Sequence, residues 1–268
     1  MPLAEVTTGT KIFYESSGQG DPLLLIPGTG GSLSVWQAQI PEWSSDLQCI
    51  AVDIRGGGRS EKPDAPYSVR LLAEDMIGIL DVLGLEKAHI AGLSLGSAIA
   101  QEIGINFPNR TITLSLHNTW ARTDRWLRIR FEVSKFLLQN APWELSEGYR
   151  QLTLFSPDKV NKVSSSSGRN EPESSEVKAK IRLYDADIKH DTLDRLHMIK
   201  APTLVTTGEE DNCLPPRYAM EVHKHIPNSI FHFFSGSGSS HMVCGERPQE
   251  FNEVQKSFLR SVVDISSS

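Results

Sequence analysis

The strongest chemical signal in the sequence is a serine that lies between two glycines. The segment Gly92–Gly96, with Ser94 at its centre, matches the pattern G-x-S-x-G between a predicted strand and a predicted helix. Glycines suit both positions because a Cβ there would collide with neighbouring backbone. The turn exposes the serine hydroxyl above the N-terminus of the helix, where the oxygen can act as a nucleophile. A plain strand-to-helix turn is the alternative, because five-residue patterns also arise by chance.

Two later loops contain the partners that a serine nucleophile needs, namely a base and a carboxylate that orients it. Asp211 follows the predicted strand 203–207, and His241 follows the predicted strand 230–234. Because parallel strands bring their carboxyl ends to one edge of a sheet, we expect Ser94, Asp211 and His241 to converge there. Their order along the chain is the one that accompanies a G-x-S-x-G turn.

Other residues compete for these roles. Glu210 is the fallback for the acid, since it lies beside Asp211. Cys213 and Cys244 lie near the predicted site, and a cysteine–histidine pair is conceivable. We reject it because neither cysteine is surrounded by a turn of the G-x-S-x-G kind.

Cofactor and metal sites find little support in the sequence. Gly28, Gly30 and Gly31, with Asp53 further on, weakly imitate a dinucleotide-binding fingerprint, but the later glycine spacing is missing. That interpretation would leave the serine turn and the late histidine unexplained. We therefore predict no cofactor and no metal.

The elements that must position these residues follow an α/β pattern. Apolar runs at 23–26, 49–52, 88–93 and 111–116 alternate with helical patterns such as 69–83. This alternation predicts a mostly parallel central sheet with helices on both faces, preceded by a hairpin within residues 5–15.

The alternation stops near residue 120 and resumes after residue 200. We therefore predict residues 1–119 as the first part of the core, 120–199 as a helical cap and 200–268 as the second part of the core. In the cap, several apolar residues share one face of a predicted helix: Trp126, Ile129, Val133, Phe136 and Leu137. The serine-rich stretch 164–168 is predicted to be a flexible loop.

Composition narrows the possible partners and location. The chain has 268 residues, 27 basic and 33 acidic, with a formal net charge of −6. An acidic balance without a basic cluster argues against nucleic acid, and the longest apolar runs fall far short of the ~20 residues of a membrane helix. Three widely spaced cysteines and no visible secretory signal favour the reducing cytoplasm. We expect a small-molecule partner, and the oligomeric state stays open.

Several motifs in the same order resemble the α/β-hydrolase fold family over nearly the whole chain. Besides the Ser94 turn, they are Pro27–Gly30, Asp53–Ser60, Gly208–Asp211 and Gly238–His241, the last followed by Glu-Arg-Pro. The resemblance implies the fold, a nucleophilic serine in the turn, a histidine base and an aspartate that fixes the imidazole tautomer.

The same resemblance implies an oxyanion hole made by the backbone N–H groups of Thr29 and Leu95. Two positions depart from the family pattern. Pro27 replaces a histidine that usually precedes the oxyanion segment, and two serines separate Gly238 from His241. We also expect Asp53 and Arg55 to form an ion pair beside the site.

The substrate is only partly constrained by the sequence. A serine at the turn argues against the dehalogenases and epoxide hydrolases of this family, which use aspartate there. The segment His117–Arg122 resembles enol-lactonases, so we predict hydrolysis of a carboxylic ester or lactone. Carbon–carbon bond hydrolysis of activated ketones and a non-turnover ligand-binding or receptor role are the alternatives.

The cap offers three candidate substrate contacts, Trp120, Trp126 and Trp143. An aromatic cap suits a small to medium substrate with an apolar portion. For each tryptophan, packing of the cap onto the core is the competing explanation.

Overall fold

The computed structural model describes residues 3–162 and 170–266. The predicted serine-rich loop at 164–168 lies outside the described residues. A sheet of eight strands forms the centre of the molecule, and its order is β1-β2-β4-β3-β5-β6-β7-β8. The strands are β1 (Leu3–Glu5), β2 (Lys11–Ser17), β3 (Asp21–Ile26), β4 (Leu47–Val52), β5 (Ala88–Leu93), β6 (Thr111–His117), β7 (Thr203–Gly208) and β8 (Ile230–Phe234).

Strands β3 to β8 pair in parallel, and β1 and β2 add an antiparallel hairpin at one edge. Alternate residues of β3 enter different hydrophobic clusters. Leu24 and Ile26 pack on one face of the sheet, and Leu23 and Leu25 pack on the other. A strand that is covered on both faces needs a continuous apolar run. The predicted α/β architecture is confirmed.

Ten α-helices lie in the described part of the chain. They are α1 (Ile40–Trp43), α2 (Val69–Val82), α3 (Leu95–Asn106), α4 (Arg125–Asn140), α5 (Trp143–Leu154), α6 (Pro157–Lys162), α7 (Ser174–Lys189), α8 (Arg217–His225), α9 (Val243–Glu246) and α10 (Pro248–Ser266). Helices α2 and α3 pack together on the face of Leu24, whereas Phe251 of α10 joins the cluster of Leu23. In residues 3–162 and 170–266, none of the helices has the length and apolar character that crossing a membrane demands.

Helices α4 to α7, which we call the cap, lie between β6 and β7 in the chain, and α4 packs against α5 and α7. The helical period expected for α4 is present, but the predicted apolar face points outward. Trp126, Ile129, Val133 and Phe136 are exposed. The buried residues of α4 are Leu127, Phe131 and Ser134, because that side of the helix packs against the core and α7.

The expected ion pair between Asp53 and Arg55 is not formed. Arg55 instead makes two hydrogen bonds to Asp75 of α2, from Nε at 2.8 Å and Nη2 at 2.7 Å. Asp53 accepts backbone N–H groups of Leu33 at 2.7 Å and Arg59 at 2.8 Å. The chain turns after β4, so these two side chains face different elements.

Candidate active site

Ser94 occupies a strained turn between β5 and α3. Its φ and ψ of 57° and −121° lie where non-glycine residues are rare. A Cβ on Gly96 would lie 2.2 Å from the carbonyl oxygen of Ile26, and a Cβ on Gly92 would lie 2.1 Å from that of Gly96. The Ser94 N–H donates to the His117 carbonyl at 2.9 Å. The strain is therefore held by close backbone packing on both sides.

Asp211 and His241 form a buried pair. Nδ1 of His241 lies 2.8 Å from Oδ2 of Asp211. The other oxygen, Oδ1, accepts the backbone N–H groups of Cys213 at 2.8 Å and Leu214 at 2.7 Å. These two bonds fix the carboxylate, and the carboxylate in turn favours a proton on Nδ1. Nε2 is left as the nitrogen that can exchange a proton.

The environment of His241 has opposing effects on its basicity. Burial lowers the pKa of the imidazole, because it penalises the charged form. The negative charge of Asp211, the neighbouring Cys213 and their hydrogen bonds favour the imidazolium and together outweigh burial, so the pKa is raised above its ordinary value. The pair is arranged to stabilise a proton that arrives on His241.

The two glutamates before Asp211 have other partners. Glu210 accepts the N–H of Gly238 at 2.9 Å, and Glu209 accepts the N–H of Gly236 at 2.8 Å. Both carboxylates thus hold the loop that precedes His241. The fallback role for Glu210 has no geometric support.

The two extra serines before His241 form hydrogen bonds within and beside the loop. Ser239 is buried, and its Oγ donates to the Gly236 carbonyl at 2.6 Å. Ser240 donates to Glu246, which also accepts from Ser156 between α5 and α6. The loop therefore still brings His241 to Asp211, and it is joined to the cap through Glu246.

Thr29 lies in the loop after β3, and Leu95 is the first residue of α3. Among the residues that the structure describes, neither backbone N–H has a hydrogen-bond acceptor. The Thr29 side chain is occupied, because its Oγ1 donates at 2.8 Å to Oδ2 of Asp187 on α7. A buried cap carboxyl thereby holds the loop that carries the Thr29 amide.

A cavity of about 530 Å³ opens over this arrangement. Thr29, Ser94 and His241 line it from the core, and Arg130 and Tyr184 line it from the cap. The residues predicted from three distant parts of the chain thus share one cavity.

Only Trp143 of the three predicted cap tryptophans lines this cavity. Trp120 is fully buried, with its ring 5.9 Å from that of Phe131, so it packs the base of the cap. Trp126 is 44% exposed on the outward face of α4. Trp120 and Trp126 do not line this cavity, so the structure gives their predicted substrate contacts no support, and packing explains the burial of Trp120.

A family model of the α/β hydrolase fold matches residues 21–248. The chain belongs to the α/β-hydrolase fold family. "Putative carbamate hydrolase RutD" of Azorhizobium caulinodans is 29% identical over 255 residues, covering 94% of this chain and 96% of that protein. "3-oxoadipate enol-lactonase 2" of Acinetobacter baylyi is 28% identical over 256 residues, covering 92% of each chain.

A solved structure of the enol-lactonase from Burkholderia xenovorans has a TM-score of 0.85 and 24% identity, covering 97% of this chain and 100% of that one. At this identity the likeness shows the fold. The named relatives support hydrolase activity for this α/β hydrolase.

Three potential metal ligands of this α/β hydrolase lie together. Ligand atoms of Asp211, Cys213 and His241 fall within 4.8 Å of one another. Sequence spacing gave no hint of this, since the cluster is assembled by two loops. Binding a metal through Nδ1 of His241 would break its contact with Asp211, so this donor set fits an acid–base pair better than a metal site.

Asp187 and Arg130 belong to no sequence motif that indicates a functional site. Asp187 is fully buried, and burial raises its pKa to about 7 against the lowering effects of Thr29 and Arg130. A signal exists for Asp187, because it continues the buried positions Ala179 and Leu183 at intervals of four. An acidic residue on an apolar stripe needs a buried partner.

Proposed function

We propose that this α/β hydrolase cleaves carboxylic esters or lactones through a serine nucleophile and an acyl-enzyme. The observation that carries the proposal is the Asp211–His241 pair, whose histidine lines the same cavity as Ser94 on its strained turn. The enol-lactonase relative supports the substrate class. The carbamate hydrolase relative adds carbamates as a second candidate, because their cleavage is also attack on a carbonyl carbon.

In the proposed acylation step, Oγ of Ser94 attacks the carbonyl carbon and its proton passes to Nε2 of His241. The carbonyl oxygen becomes negative in the tetrahedral intermediate. The free N–H groups of Thr29 and Leu95 are the proposed donors to that oxygen, each worth about 3–4 kcal/mol. Collapse of the intermediate breaks the carbon–oxygen bond, and His241 protonates the departing alkoxide.

In the proposed deacylation step, water gives a proton to His241 and its oxygen attacks the acyl carbon. The Ser94–acyl bond then breaks, and the proton returns to Oγ. The products are a carboxylic acid and an alcohol, or one hydroxy acid when the substrate is a lactone. Asp211 keeps the imidazole in one tautomer through both steps.

The test compares wild type, Ser94→Ala and the control Ser45→Ala on p-nitrophenyl esters of two to eight carbons and a panel of lactones. Ser45 is exposed and lies outside the cavity. We expect steady turnover in wild type and the control, and its loss in a folded Ser94→Ala protein. Turnover by Ser94→Ala would refute the nucleophile. A single burst or no reaction in folded wild type would favour carbon–carbon hydrolysis or a binding role.

The partners and location follow as proposals of the same kind. We propose a small-molecule substrate, no cofactor and no membrane partner, and the acidic charge argues against nucleic acid. A cytoplasmic location is supported by three buried cysteines that form no disulfide.

A further inference from the structure

Arg130 is a cationic side chain that the proposed acyl transfer does not use. It belongs to α4 and lines the cavity that contains Ser94 and His241. Its guanidinium carbon lies 4.6 Å from the ring centroid of Phe131, the next residue of α4. A guanidinium in this position needs an explanation, because removing a charge from water is costly unless it is paired.

The protein satisfies this guanidinium poorly. Nη2 lies 2.9 Å from Sγ of Cys213, and a thiol is a weak acceptor. Nε is buried and has no hydrogen-bond partner among the described residues. A guanidinium carries five N–H donors in a planar fork that matches a carboxylate.

The carboxyl group of Asp187 does not form a hydrogen bond with the Arg130 guanidinium. Oδ2 of Asp187 accepts from Thr29, and Oδ1 is a buried atom without a partner in the described part of the chain. Its pKa of about 7 means that it compensates the cation only in part at neutral pH. Arg150 differs, because Glu147 pairs with it through two bonds of 2.7 and 2.6 Å.

We propose that Arg130 binds a carboxylate of the substrate, at a distance from the bond that is cleaved. This inference rests on the proposed function and specifies it: the preferred ester or lactone is an anion, with its carboxylate toward the cap. Arg130 is then a specificity residue rather than a catalytic one.

The test uses two esters of similar size, neutral p-nitrophenyl butyrate and anionic mono-p-nitrophenyl glutarate. A charge-assisted hydrogen bond contributes about 1.5–3 kcal/mol, which is about 10- to 150-fold in kcat/KM. We expect wild type to prefer the glutarate ester by this factor and Arg130→Gln to lose the preference. Arg130→Lys should retain part of it, because it keeps the charge without the fork.

Arg128→Gln is the matched control, since Arg128 is exposed on the same helix. It should keep the wild-type preference. Equal losses on both esters in Arg130→Gln would mean that Arg130 only supports the fold of the site, and would overturn the proposal. A wild type without preference for the anionic ester would overturn it too.

A second measurement covers the case in which Arg130→Gln does not fold. Glutarate should inhibit hydrolysis of the neutral ester by wild type at least tenfold more strongly than glutaramide of the same shape, and equal inhibition would contradict the proposal. If folded wild type hydrolyses neither ester, the proposed function fails. In that case the anion site is tested by the melting temperature of wild type. A rise with glutarate but not with glutaramide would support the site, and no difference between the two would overturn it.

Discussion

Replacing Asp211 by asparagine tests the proposed role of its carboxylate, because the structure fixes how the new amide must be oriented. Oδ1 of Asp211 accepts two backbone N–H groups, from Cys213 and Leu214. An asparagine can keep both bonds only with its oxygen in that position. Its NH₂ group then replaces Oδ2, 2.8 Å from Nδ1 of His241. A donor there forces Nδ1 to accept, so the ring proton moves to Nε2 and the base is lost.

The size of the effect follows from the cost of the alternative orientation. Turning the amide over restores the useful tautomer but leaves two buried N–H groups unpaired, at about 1–3 kcal/mol each. The total of about 2–6 kcal/mol corresponds to a fall in kcat of about 30-fold to 3 × 10⁴-fold. The upper end matches the loss of about 10⁴ when the aspartate of a Ser-His-Asp triad becomes asparagine.

The assay is steady-state hydrolysis of a p-nitrophenyl ester, with unfolding curves to show that the variants fold. Glu210→Gln is the control, because its amide oxygen can still accept from Gly238. We expect it to stay within a few fold of wild type. An active Asp211→Asn, or a Glu210→Gln that loses as much activity, would refute the assignment of the acid.

Four other predictions come from the same geometry. Because the pKa of His241 is raised and a base must be neutral, kcat/KM should rise with pH to a half-maximum above 6.5; a midpoint at or below 6.5 would contradict this. Burial raises the folded-state pKa of Asp187 from 3.8 to about 7. As the pH rises between these two values, the free energy of unfolding of wild type should therefore fall relative to that of Asp187→Asn, by at most about 4 kcal/mol, in denaturant unfolding. A flat difference would mean that the carboxyl is not desolvated. The free energy of unfolding of Ser94→Gly should exceed that of Ser94→Ala by about 1 kcal/mol, because glycine adopts a positive φ without strain. Equal free energies would argue against strain at this position. EDTA should leave turnover unchanged, and inhibition by it would assign a metal to the Asp211–Cys213–His241 cluster.

The core of this site could be predicted from the sequence because local pattern and topology act together there. β3 and β5 are buried on both faces, so their apolar runs are continuous and their ends are easy to locate. Parallel pairing then brings the residues after β5, β7 and β8 to one edge. Ser94, Asp211 and His241 are the residues at those ends.

The cap could not be predicted in the same way. Periodicity identifies α4 as a helix but does not say which of its faces meets the core, and the more apolar stripe proved to be the exposed one. Thr29 and Asp187 are 158 residues apart, and their bond depends on how the cap lies on the core. The surroundings of Arg130 depend on the same placement.

The bonds between cap and core limit how freely the two can be recombined. Thr29 of the core donates to Asp187, and Glu246 of the core accepts from Ser156. A chimera that exchanged only residues 120–199 for the corresponding segment of a relative would leave Thr29 without Asp187 and Glu246 without Ser156. Successful transplantation therefore has to include the two core residues and matching acceptor and donor side chains in the incoming segment. In this protein the exchangeable module is larger than the inserted sequence.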